Sequence, residues 1–76
     1  MTEFDLVLDA RGLNCPLPIL RARQSIQKLN AGQVLHIVAT DPGSVKDFEA
    51  FCKQTGNELL ATNQQAGEYS FDIRKN

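Results

Sequence analysis

Cys15 is the residue of this 76-residue chain whose type and setting most readily support chemistry. It stands in the run Asn14-Cys15-Pro16-Leu17-Pro18, directly before a segment whose apolar residues recur with helical spacing. Because proline is tolerated in the first turn of a helix, we place Pro16 at the first helical position and Pro18 two residues later, with the cap near Cys15. The positive end of the helix dipole would then favour the thiolate over the thiol.

The residues around Cys15 exclude two common kinds of cysteine site. A Cys-x-x-Cys redox pair would need a second cysteine at position 18, where the chain has Pro18. A zinc site would need about four ligands, and one cysteine with the remote His36 supplies too few. An unpaired cysteine is often an inert, buried side chain, but the polar turn around Cys15 lacks the apolar neighbours of a core position. We therefore interpret Cys15 as a single reactive thiol, with no metal and no cofactor expected.

The charges of the chain are unevenly distributed along it. No Asp or Glu occurs between Ala10 and Thr40, whereas four basic residues do, namely Arg11, Arg21, Arg23 and Lys28. This segment carries +4 and the remainder −5, within a formal net charge of −1. Cationic surroundings lower the pKa of a thiol and attract anionic sulfur species or an acidic partner. We therefore expect a lowered pKa for Cys15, with Arg11 supporting it as the nearest basic residue in sequence.

The elements that must position Cys15 follow from the hydrophobic periodicity. We predict strands over residues 4–9, 34–40, 59–62 and 69–73, and helices from residue 16 to about 30 and from 44 up to Gly56. The first strand, helix and second strand form a right-handed crossover with parallel strands, and the last two strands form an antiparallel hairpin. The predicted fold class is α+β: a two-layer α/β sandwich, βαβαββ, with two helices on one face of a four-stranded mixed sheet.

The turn that follows the second strand, Asp41-Pro42-Gly43-Ser44, is the next candidate. It lacks the glycine run and the lysine of a phosphate-binding loop, so we interpret it as an ordinary strand-to-helix turn. Ser44 and Asp47 resemble a capping box that opens the second helix. Loops that leave neighbouring parallel strands lie side by side, and this places Asp41 near Cys15.

Two further residues have more ordinary interpretations. Cys52 shares a helical face with Val45, Phe48 and Phe51, so we assign it a packing role, with a secondary sulfur or disulfide role as the open alternative. His36 lies on the side of its strand opposite Leu35 and Ile37, which faces away from the helices, and we expect a structural role for it.

Length and composition set the outer limits. A chain of this size with 42% hydrophobic residues is expected to form one domain, over residues 1–76. The acidic start, Met1-Thr2-Glu3-Phe4-Asp5, has neither the charge nor the apolar run of a signal peptide, and no run has membrane-spanning length. We expect a cytoplasmic protein with free thiols, no membrane partner and no direct nucleic-acid partner.

The run Leu8-Asp9-Ala10-Arg11-Gly12-Leu13-Asn14-Cys15-Pro16-Leu17-Pro18, together with Thr40-Asp41-Pro42-Gly43-Ser44 and Asp47-Phe48, closely resembles the TusA/SirA family of sulfur carriers. Its hallmark is a Cys-Pro-x-Pro motif after a strand and a Gly-Leu turn. The resemblance implies the same fold, with Cys15 as the persulfide carrier and Pro16, Pro18, Arg11 and Asp41 as supporting residues. Some members have an acidic residue between the prolines, where this chain has Leu17.

The family's activity implies a relay component of the sulfurtransferase type rather than a stand-alone turnover enzyme. A donor protein, a cysteine desulfurase or a rhodanese, would load sulfane sulfur onto the thiol, and an acceptor protein would remove it. Family members serve tRNA thiolation or sulfur oxidation. Two alternatives remain: a regulatory module that binds RNA or protein through the open sheet face, and a thiol enzyme that completes turnover alone. The first lacks paired stacking aromatic residues, and the second lacks a visible Cys-His pair.

Overall fold

A computed structural model describes residues 4–76 of the chain. Its strands are β1 (Leu6–Ala10), β2 (Val34–Ala39), β3 (Glu58–Gln65) and β4 (Glu68–Arg74), and its helices are α1 (Leu17–Gln27) and α2 (Ser44–Thr55). The sheet order is β1-β2-β4-β3, with β1 parallel to β2 and the other pairs antiparallel. The predicted fold class, two helices on one face of a four-stranded mixed sheet, is confirmed. Residues 1–3 of the acidic start lie outside the described residues.

The core lies between the two helices and one face of the sheet. It consists of Ala10, Ala22, Ile26, Leu29, Leu35, Ile37, Ala39, Phe48, Phe51, Cys52, Phe71 and Ile73. Phe48 stands near its centre, with its ring centroid 4.6 Å from that of Phe71 and 6.5 Å from that of Phe51. The helical and strand periodicities identified the buried faces of these elements. The exception is Phe4, which precedes β1, is 41% exposed and stacks on His36.

The element boundaries differ from the prediction at β1, at α1 and at the hairpin. Strand β1 begins at Leu6 rather than at residue 4 and ends at Ala10. Helix α1 begins at Leu17, with Pro16 in the capping position, and it ends at Gln27 rather than near Asn30. Strand β3 runs as far as Gln65, so that the turn is only Ala66 and Gly67, with φ values of 54° and 80°. A two-residue turn with positive φ matches the right-handed twist of the paired strands, which allows the polar end of β3 to pair fully with β4.

The open face of the sheet carries His36, as predicted. Its Nδ1 lies 2.6 Å from Asp72 Oδ1, and its ring stacks on Phe4 with the centroids 4.3 Å apart. Val7 is the most exposed large apolar side chain on this face, at 62%. Among the helices of the described part of the chain, none is both long enough and apolar enough to cross a membrane.

Candidate functional site

Cys15 lies in the turn between β1 and α1, with its side chain exposed to solvent. The turn is closed on both sides of the cysteine by backbone hydrogen bonds. The Leu13 amide donates to the Ala10 carbonyl at 3.3 Å, and the Leu17 amide donates to the Asn14 carbonyl at 2.8 Å. The thiol is therefore presented on a short, hydrogen-bonded connection rather than on a long loop.

Asp41, at the end of β2, anchors this turn from the neighbouring strand. Its Oδ2 accepts the backbone N–H of Cys15 at 2.9 Å, while its Oδ1 accepts that of Gly43 at 3.1 Å. Thr40 adds a parallel link, because its hydroxyl oxygen accepts the Gly12 N–H at 2.9 Å. The parallel pairing of β1 and β2 brings these two strand ends together, so the structure places Asp41 beside Cys15 as the loop argument predicted.

A groove between α1 and α2 begins at the thiol. It has a volume of about 190 Å³ and is lined by Cys15, Pro16, Ile19, Arg23, Asp47, Ala50, Phe51 and Gln54. The Arg23 guanidinium lies over the Phe51 ring, 5.7 Å from its centroid. Pro18 is buried in the first turn of α1 and does not line the groove. The groove is smaller than the roughly 300–1,000 Å³ of a typical small-molecule site, and it suits a side chain or a short peptide segment.

The electrostatic surroundings of Cys15 are negative, and the predicted lowering of its pKa is wrong. A hydrogen bond to the Asp47 carboxylate, partial desolvation and the negative charges of Asp47 and Asp41 all raise the pKa of the Cys15 thiol. A carboxylate that accepts the thiol proton stabilises the neutral form, and a second nearby negative charge disfavours the thiolate.

Arg11 does not provide the expected compensation. Its guanidinium pairs with Asp9 at 2.9 Å and approaches Glu68 at 3.6 Å, on the open face of the sheet. The pairing raises the pKa of Arg11 and lowers that of Asp9 to about 2. The charge of Arg11 is therefore already balanced by two carboxylates, and the groups that act on the thiol are Asp47 and Asp41.

The role predicted for Asp47 is also wrong. The predicted capping box does not form, because α2 begins at Ser44 with Gly43 in the capping position and without a side-chain cap. Ser44 Oγ is buried without a hydrogen-bond partner among the described residues. Asp47 instead lines the groove beside Cys15. The available signal was its spacing from Phe51 and Gln54, which places all three residues along one side of α2.

Cys52 differs from Cys15 in its exposure and in the physical cause of its raised pKa. Its side chain is 6% exposed within the core, and burial raises its pKa to about 11. Both cysteines are free thiols. The buried position of Cys52 agrees with the packing role predicted for it. Within residues 4–76, no group of three or more His, Cys, Asp or Glu residues is arranged to hold a metal ion.

The fold and the site together define a small α+β domain that presents one exposed thiol where two parallel strands end. Comparison with known proteins identifies the family. Residues 6–75 match the family model described as sulfurtransferase TusA. A protein of Allochromatium vinosum named sulfur carrier protein TusA is 60% identical over 75 residues, covering 99% of both chains. One of the same name from Pseudomonas putida is 46% identical over 77 residues, covering 99% of this chain and 96% of its own.

The chain therefore belongs to the TusA family, and it is a sulfur carrier protein. The fold has a counterpart in the crystal structure of a SirA-like protein from Desulfitobacterium hafniense. The TM-score is 0.81, with 22% sequence identity over 91% of this chain and 95% of the other. The resemblance predicted from the Cys-Pro-x-Pro motif is confirmed.

Proposed function

We propose that this carrier holds its cargo as a persulfide on Cys15, accepting sulfane sulfur from a donor protein and passing it to an acceptor protein. The observation that carries this proposal is the contrast between the two cysteines. Cys15 is exposed at the mouth of a groove, whereas Cys52 is buried in the core with a pKa of about 11. A thiol that must meet sulfur on another protein has to be accessible at the surface, and of the two cysteines Cys15 is the exposed one.

The transfer step conserves atoms and electrons. The Cys15 thiolate attacks the outer sulfur of the donor persulfide, the new bond joins Cys15 Sγ to that sulfur, and the donor S–S bond breaks. The donor leaves as a thiolate, which takes a proton from solvent, and the Cys15 thiol proton is released to solvent before attack. The sulfur arrives and leaves in the same oxidation state, so no oxidant or reductant is consumed. The same exchange with an acceptor thiolate empties the carrier.

The surroundings of Cys15 suit storage of a persulfide. A second thiol within reach would attack the inner sulfur, release sulfide and close a disulfide. The chain has two cysteines, and the second is enclosed in the core. We assign Asp41 the role of holding the turn through the Cys15 N–H. Pro16 and Pro18 hold the start of α1, and Arg11 stabilises the preceding strand end through Asp9.

The donor is a cysteine desulfurase or a rhodanese in this proposal, and the relay operates in the cytoplasm, where reducing conditions keep the thiol free. Protein partners are favoured over nucleic acid by the open sheet face. There the carboxylates of Asp9, Glu68 and Asp72 outnumber the one guanidinium, Arg11, that pairs with two of them, and the excess negative charge would repel a phosphate backbone.

The test is intact-mass measurement after incubation with a protein persulfide donor. We expect the wild-type chain to gain the mass of one sulfur atom, and Cys15→Ser to gain none while keeping its fold. Cys52→Ala is the matched control: it should load like the wild type, although its stability should fall by on the order of 1 kcal/mol because a small buried side chain is trimmed. Loading of Cys15→Ser to the wild-type extent would contradict the proposal.

A further inference from the structure

The Cys15 sulfur lies near two carboxylates, and the transfer step adds further negative charge at the same place. Asp47 lines the groove beside it, and Asp41 Oδ2 is bonded to its backbone N–H at 2.9 Å. The transfer step requires a thiolate there, and the incoming donor sulfur is itself anionic when the persulfide is deprotonated. Like charges brought together in a partly desolvated groove oppose each other, so the isolated carrier is poorly arranged for its own reaction.

Arg11 and Arg23 do not relieve this charge. Arg11 is engaged by Asp9 and Glu68 on the open face of the sheet. Arg23 lines the groove, but its guanidinium lies over the Phe51 ring. It stands six residues beyond the start of α1, about 9 Å along the helix axis at roughly 1.5 Å per residue. The groove is therefore negative at the thiol end and positive at the other end.

We propose that the partner segment that enters this groove presents a Lys or Arg side chain to Asp47, next to the partner's own reacting cysteine. This inference rests on the proposed function, and it adds the chemistry by which a partner is recognised. A cation paired with Asp47 withdraws that carboxylate from the thiol proton and offsets the charge of the thiolate. The carrier is then held largely as a thiol when alone and is activated when a suitable partner docks.

The arrangement also explains how a single exposed thiol avoids unwanted reactions. A thiol is a much weaker nucleophile than a thiolate, and small anionic oxidants or polysulfides are repelled by Asp41 and Asp47. Selectivity then depends on the charge that the partner brings, not on a closed pocket. The small volume of the groove is consistent with this, since one side chain beside the reacting cysteine occupies it.

Two synthetic peptides test the proposal directly. They carry a persulfide on a cysteine flanked by Lys in one peptide and by Glu in the other, and loading of Cys15 is followed by intact mass. The measured quantity is the ratio of the Lys-peptide rate to the Glu-peptide rate, determined for the wild-type carrier and for a free cysteine peptide. We expect this ratio to be about two- to fivefold higher for the carrier, the range that an exposed ion pair supplies.

Asp47→Asn should remove most of that advantage. Glu49→Gln is the matched control, because it deletes one negative charge from an exposed position of the same helix that does not line the groove, and it should keep the advantage. Equal loading of the wild type by both peptides, or an advantage that survives Asp47→Asn, would overturn the inference. Such results with Cys15 still loaded would leave the proposed function intact, whereas failure of Cys15 to load from any donor would overturn the proposed function itself.

Discussion

At the scale of single residues, Cys15 and Cys52 both have a raised pKa, but the physical causes differ. The pKa of Cys52 is raised by desolvation in the core, which no partner can reverse without unfolding the protein. The pKa of Cys15 is raised first by the neighbouring Asp47 carboxylate, a half-buried side chain at the groove whose effect a partner or a substitution can remove. Only one of the two thiols is therefore adjustable, and it is the one on the surface.

The pH dependence of Cys15 reactivity follows from this difference. Alkylation requires the thiolate, whose fraction grows as the pH rises through the pKa, so the midpoint of the rate should lie above that of a free cysteine peptide. Asp47→Asn should move the midpoint to lower pH, because it removes a negative charge and a strong acceptor of the thiol proton. Alkylation rates measured across a pH series would give both values.

Arg11→Gln serves as the control for that series. Since Arg11 is paired with Asp9 and Glu68, its removal should leave the Cys15 midpoint unchanged. A midpoint that rose in Arg11→Gln would mean that this guanidinium acts on the thiol after all.

At the scale of elements, the active turn depends on one side chain from another strand. Asp41 accepts the N–H groups of both Cys15 and Gly43, which ties the turn before α1 to the turn before α2. Asp41→Ala leaves both donors to solvent. We expect the Cys15 amide to exchange with solvent at least about tenfold faster, because a hydrogen bond to a charged acceptor is lost.

The Gly12 amide provides an internal reference for the Asp41→Ala measurement. It donates to Thr40 Oγ1, an independent link between the same two turns, and its exchange rate should stay the same. Equal acceleration of both amides would show that the whole connection loosens as one unit, whereas no change at Cys15 would show that Asp41 is dispensable for holding it.

The β3–β4 hairpin contains a strained residue that can be improved. Ala66 has a φ of 54°, a left-handed conformation that costs a residue with a Cβ atom roughly 1 kcal/mol. Asn tolerates this conformation better and is preferred before Gly in such turns. Ala66→Asn should therefore raise the free energy of unfolding by up to about 1 kcal/mol, as measured by urea denaturation. Ala31→Asn, at an exposed turn position without positive φ, should give no gain.

The elements could be predicted from sequence because periodicity reports which face is buried. The buried face of α2, which contains Phe48 and Phe51, was predicted correctly for this reason. The position of Asp47 was not predictable in the same way, because it depends on where α2 begins. With Gly43 in the capping position, Ser44 becomes the first helical residue and cannot cap it, and Asp47 is left free to line the groove. Turn conformation decides such one-residue shifts, and composition does not reveal it.

At the scale of the whole molecule, the basic residues that lie close together in the sequence do not form one positive region on the folded surface. Arg11 lies on the open face of the sheet, where Glu68 from the far end of the sequence reaches it. Arg23 lies on the opposite side, in the groove between the helices. The carboxylates next to Cys15 come from the acidic part of the chain, brought in by the parallel β1–β2 pair. Sequence proximity therefore predicted the wrong sign of charge around the thiol.

The strand directions separate the two ends of the molecule. Asp5 and Arg74 both pair with Val34, at the start of β2, whereas Cys15 lies beyond the opposite ends of β1 and β2. The five steps from Val34 to Ala39 span about 17 Å at roughly 3.3 Å each. Asn76 lies at that far end, where its backbone N–H donates a hydrogen bond to Asn57 Oδ1. A tether fixed to Asn76 should leave the alkylation rate of Cys15 unchanged. The same tether inserted at Ala66, on the reactive side, should hinder capture from a protein donor. The carrier can thus be immobilised through the end that holds Asn76, while the end that holds Cys15 stays accessible to successive partners.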